Sequence, residues 1–277
     1  MVPGAILLGL LFILVEQRAA EPIIPLRLFK DRTVTLSTVA SLFVGVGLFV
    51  GTVFLAQYFQ ISRGHSPTAS GLMSLPLVLG LLASSTVVGQ LISRYGAWKR
   101  YLVAGGVLLV AGFGLMGSMR ADTPYPLLAG YLLILGAGLG MMMQNLVLAA
   151  QNVVATGDLG SASSTVAFFR SLGGAVGVSA LGALLAHRVR TYTADGPAAV
   201  GVTPSAAGAS TELPTPATLP EPVRPVVQDA SGHAIGDVFL YATPFALLAF
   251  LSVLFVKEVS LQTKSAIERD AETVLHD

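Results

Sequence analysis

Apolar residues dominate six stretches of the chain, at 34–59, 69–92, 101–119, 126–150, 163–186 and 238–256, separated by polar gaps. Crossing ~30 Å of hydrocarbon as a helix takes about 20 apolar residues, so each stretch is long enough to span a bilayer. Lipid offers the backbone no hydrogen-bond partner, and a helix satisfies every N–H and C=O within itself. Transmembrane strands would alternate polar and apolar residues, which these runs do not. The pattern predicts an all-α membrane protein whose body is a six-transmembrane-helix bundle.

A seventh run, residues 2–15, is short for a span. Small residues Ala19 and Ala20 follow it, as after a signal peptide, but no cation precedes it, and a signal peptide starts positive. It reads instead as the truncated tail of an N-terminal transmembrane helix. The predicted organisation is then a partial transmembrane helix at 1–15, a cytoplasmic linker at 16–33 and five helices within 34–186. A long flexible extracytoplasmic loop follows at 187–237, then a last helix at 238–256 and a cytoplasmic tail at 257–277. The loop at 187–237 is rich in Ala, Pro, Thr and Gly, a composition that cannot bury enough apolar surface to fold alone.

Composition agrees with lipid as the solvent. Residues are 53% hydrophobic and only 11% charged, against about 25% charged in soluble domains. The chain has no cysteine, which excludes disulfides and thiolate chemistry. Its four histidines have no metal-ligand spacing, so neither a metal nor a cofactor is expected. There is no phosphate-binding G-x-x-x-x-G-K-[ST] loop, no G-x-S-x-G elbow and no H-E-x-x-H, and an enzyme is not expected. The basic clusters are short and lie at the membrane, which argues against nucleic acid.

The placement of the cations carries more than their number. Alternate loops lie on opposite sides, and one set holds ten Lys or Arg against two in the short loops of the other. Retained loops attract cations, whereas long loops translocate regardless of charge. This predicts a multi-pass plasma-membrane protein with the 94–100 turn and the C-terminus in the cytoplasm. Trp98, in that turn, is expected at the interface with its ring half buried and its N–H in water.

The turn belongs to GQLISRYGAWKR, residues 89–100. Gly89, Leu91, Arg94, Gly96 and the pair Lys99/Arg100 resemble the second-half copy of the loop motif of the major facilitator superfamily, roughly G-x-L-x-D-R-x-G-R-R. Ser93 stands at the family's Asp. It cannot form the charge pair that latches helix ends in that family, although its oxygen could cap a helix end. Arg94 therefore reads either as an orientation anchor or as part of a conformational latch. Further stretches are similar to the multidrug-resistance branch of the family, which has 14 helices and includes drug:proton antiporters. They are AAEPIIPLRLFKDRTVTLS, GLGMMMQNLVLAAQNVV, DLGSASSTVAFFRSLGGAVGVSALGALLAH and LFVKEVSLQ. The resemblance implies the C-terminal half of a secondary efflux carrier, with a small amphipathic organic substrate and an N-terminal six-helix half as partners beside the bilayer. The alternative is a membrane subunit that does not transport by itself.

Several polar residues interrupt the spans. Arg170 is the one Lys or Arg inside them, about seven residues or roughly 10 Å from the cytoplasmic edge at 1.5 Å per residue. Mid-helix, an Arg costs about 2.5 to 3.5 kcal/mol on insertion scales. It either faces a watery cavity or snorkels to the headgroups. No Asp or Glu falls well inside the spans as drawn, so a coupling acid is expected from elsewhere. Gln57, Gln144 and Asn145 are candidates for substrate contact, the last two beside the adaptable Met141 to Met143. Gln90, near a helix end, reads as an interhelical hydrogen bond. Gly47/Gly51, Gly136/Gly140 and Gly173/Gly177 form G-x-x-x-G pairs that let helix backbones approach, as plain packing or as sliding surfaces.

Overall fold

The computed structural model describes residues 26–195 and 224–258. These residues form helices and turns, with no strand among them. We number the helices α1 (Arg32–Gln57), α2 (Pro67–Met73), α3 (Leu75–Tyr95), α4 (Trp98–Gly117), α5 (Tyr125–Gln151), α6 (Leu159–Asp195) and α7 (Arg224–Leu254). Taking α2 and α3 together, six helical segments among the described residues are long and apolar enough to cross a membrane. The expected 1–15 helix, and the parts of the linker, loop and tail at 16–25, 196–223 and 259–277, lie outside the described residues.

Local chemistry places the helix ends. Asp31 caps α1 by accepting from the N–H groups of Thr33 (2.7 Å) and Val34 (3.1 Å). Ser66 caps α2, with Pro67 in the first turn, where its missing N–H costs nothing. The second stretch is not one helix. It breaks at Ser74, because Pro76 has no N–H to continue the ladder and instead sits in the first turn of α3. Pro244, by contrast, lies inside α7. Gly96 ends α3 in the left-handed conformation (φ +71°), its N–H donating to the Ile92 carbonyl at 2.8 Å. A side chain there would be strained, so a glycine makes the turn.

Both helices at the long loop run further than the apolar pattern alone indicates. α6 continues to Asp195 and α7 starts at Arg224, inside the stretch expected to be loop. Their polar residues pair with one another across the two helices, a compensation that hydropathy does not register.

α1 and α5 form the middle of the bundle. Each has 56% of its apolar window buried, against 17% for the α2–α3 segment. α1 packs most extensively on α6, α5 on α3 and α4, and α7 on α4 and α1. Glycines set these seams. At Gly136 and Gly140 of α5, an added Cβ would overlap the carbonyls of Leu77 and Leu81 on α3. At Gly173 of α6 it would overlap the Leu42 carbonyl, and at Gly45 of α1 the Arg170 carbonyl. Gly177 faces Val46, while Gly47 and Gly51 face the side chains of Phe113, Leu139, Leu135 and Leu77. Lipid supplies no hydrophobic drive between helices, so close backbone approach and van der Waals contact hold such seams.

These contacts also fix direction. Residue numbers rise together along α1 and α6 and along α3 and α5, so those pairs are parallel. They run oppositely along α4 and α5 and along α4 and α7, which are antiparallel. One end of the bundle therefore gathers Arg27, Lys30, Arg32, Arg94, Lys99, Arg100 and Lys257, and is called the basic end below.

Candidate functional site

An open groove of about 680 Å³ lies toward the basic end, lined by Ser85, Thr86, Gly89, Gln90, Ser93 and Arg94 of α3 and by Gln144 of α5. The spacing of Thr86, Gln90 and Ser93 puts them on one face of α3. All three are exposed, as is Arg94, whose guanidinium lies 5.6 Å from the Tyr95 ring centre. A membrane helix that shows hydroxyls, amides and a guanidinium to its surroundings has a watery or protein neighbour on that side, because lipid would leave those groups unsatisfied.

The amide pair at 144–145 splits. Gln144 borders the groove. Asn145 points the other way, is 2% exposed, and donates from Nδ2 to the Met141 carbonyl one turn back at 2.7 Å. Gln57 lies at the far end of α1, away from the groove, with its Oε1 buried and unpartnered among the described residues. The structure therefore brings together Gln144, Gly89 and Arg94, and leaves Gln57 and Asn145 apart from them. Gln90, expected to bond between helices, lines the groove instead.

The turn after the groove differs from expectation in two places. Ser93 caps nothing: Gly96 closes α3, and Ala97 precedes α4 without a side-chain cap. Trp98 is fully buried in the core at the start of α4, not half in water. Lys99 and Arg100 follow it, and the Arg100 guanidinium lies 5.4 Å from the Tyr101 ring centre. Arg170 is half-buried on α6, its carbonyl under Gly45 and its Nε without a partner among the described residues. It is not part of the groove.

The opposite end is closed by hydrogen bonds. Arg63 donates to the Tyr58 hydroxyl (2.9 Å) and to the Thr123 carbonyl, and Tyr58 donates to the Arg120 carbonyl at 2.7 Å. Arg120 donates from its side chain to the Met119 carbonyl (2.7 Å) and from its N–H to the Thr123 hydroxyl (2.8 Å). Gly232 and Gly236 of α7 press against this turn. Beside them, Asp237 accepts from the Tyr192 hydroxyl (2.7 Å) and pairs with Arg188 at 3.5 Å, while Arg188 also donates to the Tyr241 hydroxyl at 2.6 Å. Asp237 lies one position before the span expected from residue 238 and, with Asp229, falls inside the apolar helical segment Val227–Leu254. Drawing the last helix from residue 238 left it in the loop by one position. The spacing 86, 90, 93 makes the groove stripe legible as one helix face, whereas each amide taken alone does not.

Residues 2–178 match the Major Facilitator Superfamily. The chain is similar to an uncharacterized MFS-type transporter of Mycobacterium tuberculosis, with 37% identity over 265 residues covering 94% of this chain and 37% of that protein. It is 28% identical over 279 residues to the multidrug transporter protein MdtP of Bacillus subtilis, covering 92% of this chain and 51% of the relative. It is 30% identical over 258 residues to the efflux pump dotC of Dothistroma septosporum, covering 91% and 44%. The chain thus spans about half the length, or less, of the curated relatives it matches.

Proposed function

The chain belongs to the Major Facilitator Superfamily, and from that premise we propose that it is one six-helix bundle, the C-terminal one, of an alternating-access efflux carrier. It is a multi-pass membrane protein. Relatives whose names describe multidrug transport and efflux support export of a small organic molecule. On this reading a second six-helix bundle faces α3, protons drive the exchange, and the basic end lies in the cytoplasm of the cell that bears it in its plasma membrane.

The observation that carries the reading is the groove. The segment with α3 is the least buried of the six, yet it shows a polar stripe where a lipid-facing helix would be apolar. A carrier explains this economically: the stripe lines the path that opens and closes between the bundles, near which substrates bind. Gln144 reaches the same path from α5.

The chain contains no cysteine, so Thr86→Cys and Gln90→Cys each introduce a single thiol. With a complementing bundle present, a water-soluble maleimide should label both from the cytoplasmic side. An exported dye should change the labelling rate, and cells should retain less of that dye. Labelling that ignores every dye tested, together with unchanged dye retention, would refute the carrier and favour a membrane subunit without transport.

A further inference from the structure

Arg170 carries a charge near the middle of the apolar segment Thr156–Val189. Its Nε is buried without a hydrogen-bond partner among the described residues. The backbone holds it there. An added Cβ at Gly45 of α1 would overlap the Arg170 carbonyl, and one at Gly173, a turn further along α6, would overlap that of Leu42. α6 is thus seated on α1 by close backbone contact and does not roll the side chain to another face. Nor does the group become neutral, since a guanidinium stays protonated at any physiological pH.

The neighbouring contacts place it relative to the groove. Gln151, at the end of α5, donates to the Ser163 hydroxyl of α6 at 2.6 Å. α5 and α6 are antiparallel, because α1 runs with α6 and against α5. Seven residues make about two turns. Arg170 therefore lies on the face of α6 that Ser163 turns toward α5, and Gln144 on the face of α5 that Gln151 turns toward α6. Both stand at one level, about 10 Å from the Ser163–Gln151 bond, and Gln144 lines the groove. That bond lies between Arg170 and the basic end, so the face of Arg170 is closed on its way to the headgroups there. No acid of the apolar segments shares its level. Of the fifteen acids of the chain, Asp158, Asp229 and Asp237 fall in those segments. Asp158 is twelve residues back and pairs with Arg27. Asp229 and Asp237 are at the closed end, where Asp237 pairs with Arg188, eighteen residues or about 27 Å beyond Arg170. The other twelve, Glu258 among them, lie outside those segments in the sequence.

A permanent charge at this depth calls for a permanent counter-charge. A transported molecule leaves the level in every cycle, and lipid carries no acid at the depth of its hydrocarbon, whereas a protein carboxylate stays. On the carrier reading, the body across the groove is the second bundle. We propose that Arg170 is a contact between the bundles, its guanidinium paired with an Asp or Glu on a membrane helix of the second bundle, beside the path that Gln144 lines. The proposal rests on that reading and names the chemistry by which the partner is recognised. A planar guanidinium binds a carboxylate through two parallel hydrogen bonds, which sets orientation as well as charge.

The test is a charge exchange in the assembled carrier, with the chain co-expressed beside the complementing bundle of the labelling test and each half tagged. Arg170→Gln should leave the chain alone as thermally stable as the wild type, yet lower recovery of the bundle with it at least tenfold. Arg170→Glu should lower recovery further, and Arg170→Lys, which keeps the charge, should lower it less. Each Asp and Glu in the spans of the bundle is then exchanged for Arg beside the Arg170→Glu chain. One exchange should restore both recovery and dye export. Unchanged recovery with Arg170→Gln overturns the proposal. So does rescue by Glu16→Arg, Glu21→Arg or Glu258→Arg, which puts the partner in this chain, and so does rescue by no exchange at all. A variant that recovers the bundle normally but stops exporting anionic dyes alone also overturns it, because the acid then belongs to the substrate. Should Arg170→Glu fail to fold, a double-mutant cycle between Arg170→Gln and each neutralised acid of the bundle reads the same contact. Tenfold coupling in recovery at one acid is expected, and coupling at none overturns the proposal. Two results separate this contact from the carrier reading. Recovery that depends on Arg170 while no dye crosses the bilayer keeps the contact and removes the carrier. Export untouched by Arg170→Gln removes the contact and keeps the carrier.

Discussion

The two ends of the bundle use arginine in opposite ways. At the closed end, Arg63 and Arg120 bind the protein itself, donating to backbone carbonyls and to the Tyr58 hydroxyl. At the basic end, Arg94 and Arg100 lie beside tyrosine rings and stay exposed. Counting cations separates the two flanks of a membrane protein but treats every cation alike. The partners show that at one end Arg63 and Arg120 hold a turn together, while at the other Arg27 pairs with Asp158 but Arg94 and Arg100 remain available to something outside the bundle.

The sharpest way to break this contrast is through the seam that supports both ends. Gly136→Leu would drive a side chain into the Leu77 carbonyl on α3, and a folded, monodisperse protein should no longer be recovered by size-exclusion chromatography. Gly89→Leu on the open face meets nothing within 4 Å and should fold normally while filling the groove. If both variants fold alike, the seam is looser than described.

Next in size is the arginine comparison itself. Arg63→Ala removes charge-assisted bonds to two partly buried oxygens and should cost about 2 kcal/mol of stability. Arg94→Ala should stay within about 0.5 kcal/mol of the wild type. Thermal unfolding followed by Trp98 emission measures both, and equal losses would erase the distinction between the ends.

A smaller effect is expected where α6 meets α7. Asp237→Asn weakens its contacts with Arg188 and Tyr192, and because Arg188 is partly exposed the loss should be about 1 kcal/mol or less. A double-mutant cycle with Arg188→Gln isolates the pair, and zero coupling would show that the ion pair holds nothing.

The smallest effect is a pH dependence. Tyr192 donates to Asp237 only while neutral, and that hydrogen bond, more than its burial, raises the pKa of the phenol above its ordinary value. A raised pKa means that the contribution is complete below the unfolded value, about pH 10, and is lost as pH climbs through the folded one. Tyr192→Phe should remove this alkaline loss and change nothing near neutral pH. An identical alkaline profile in the variant would assign the loss to another group.

Much of this molecule is legible without coordinates. Twenty-residue apolar runs admit one backbone solution in lipid, so six spans followed from length alone. Gly96 marks the turn in any reading, because the left-handed cap excludes most other residues. The amides were harder. Gln144 and Asn145 are adjacent, yet one borders a groove and the other is 2% exposed, since neighbouring helical residues point about 100° apart. Trp98 looked like an interfacial ring by composition and position, but the packing of α4 buries it. Asp237 escaped because a polar residue at a span edge is counted as loop unless its partners on another helix are known.

By itself, then, the amino-acid order determined that the chain crosses lipid, where the six apolar spans of the described residues lie, and which flank is basic. Those properties depend on the solvent and on one segment at a time. Only the tertiary structure decided which face of α3 is left open, which arginines are bound, and that an acid on α7 meets an arginine on α6. Each of those depends on where a second helix lies, and hydropathy along a single helix holds no record of its neighbour.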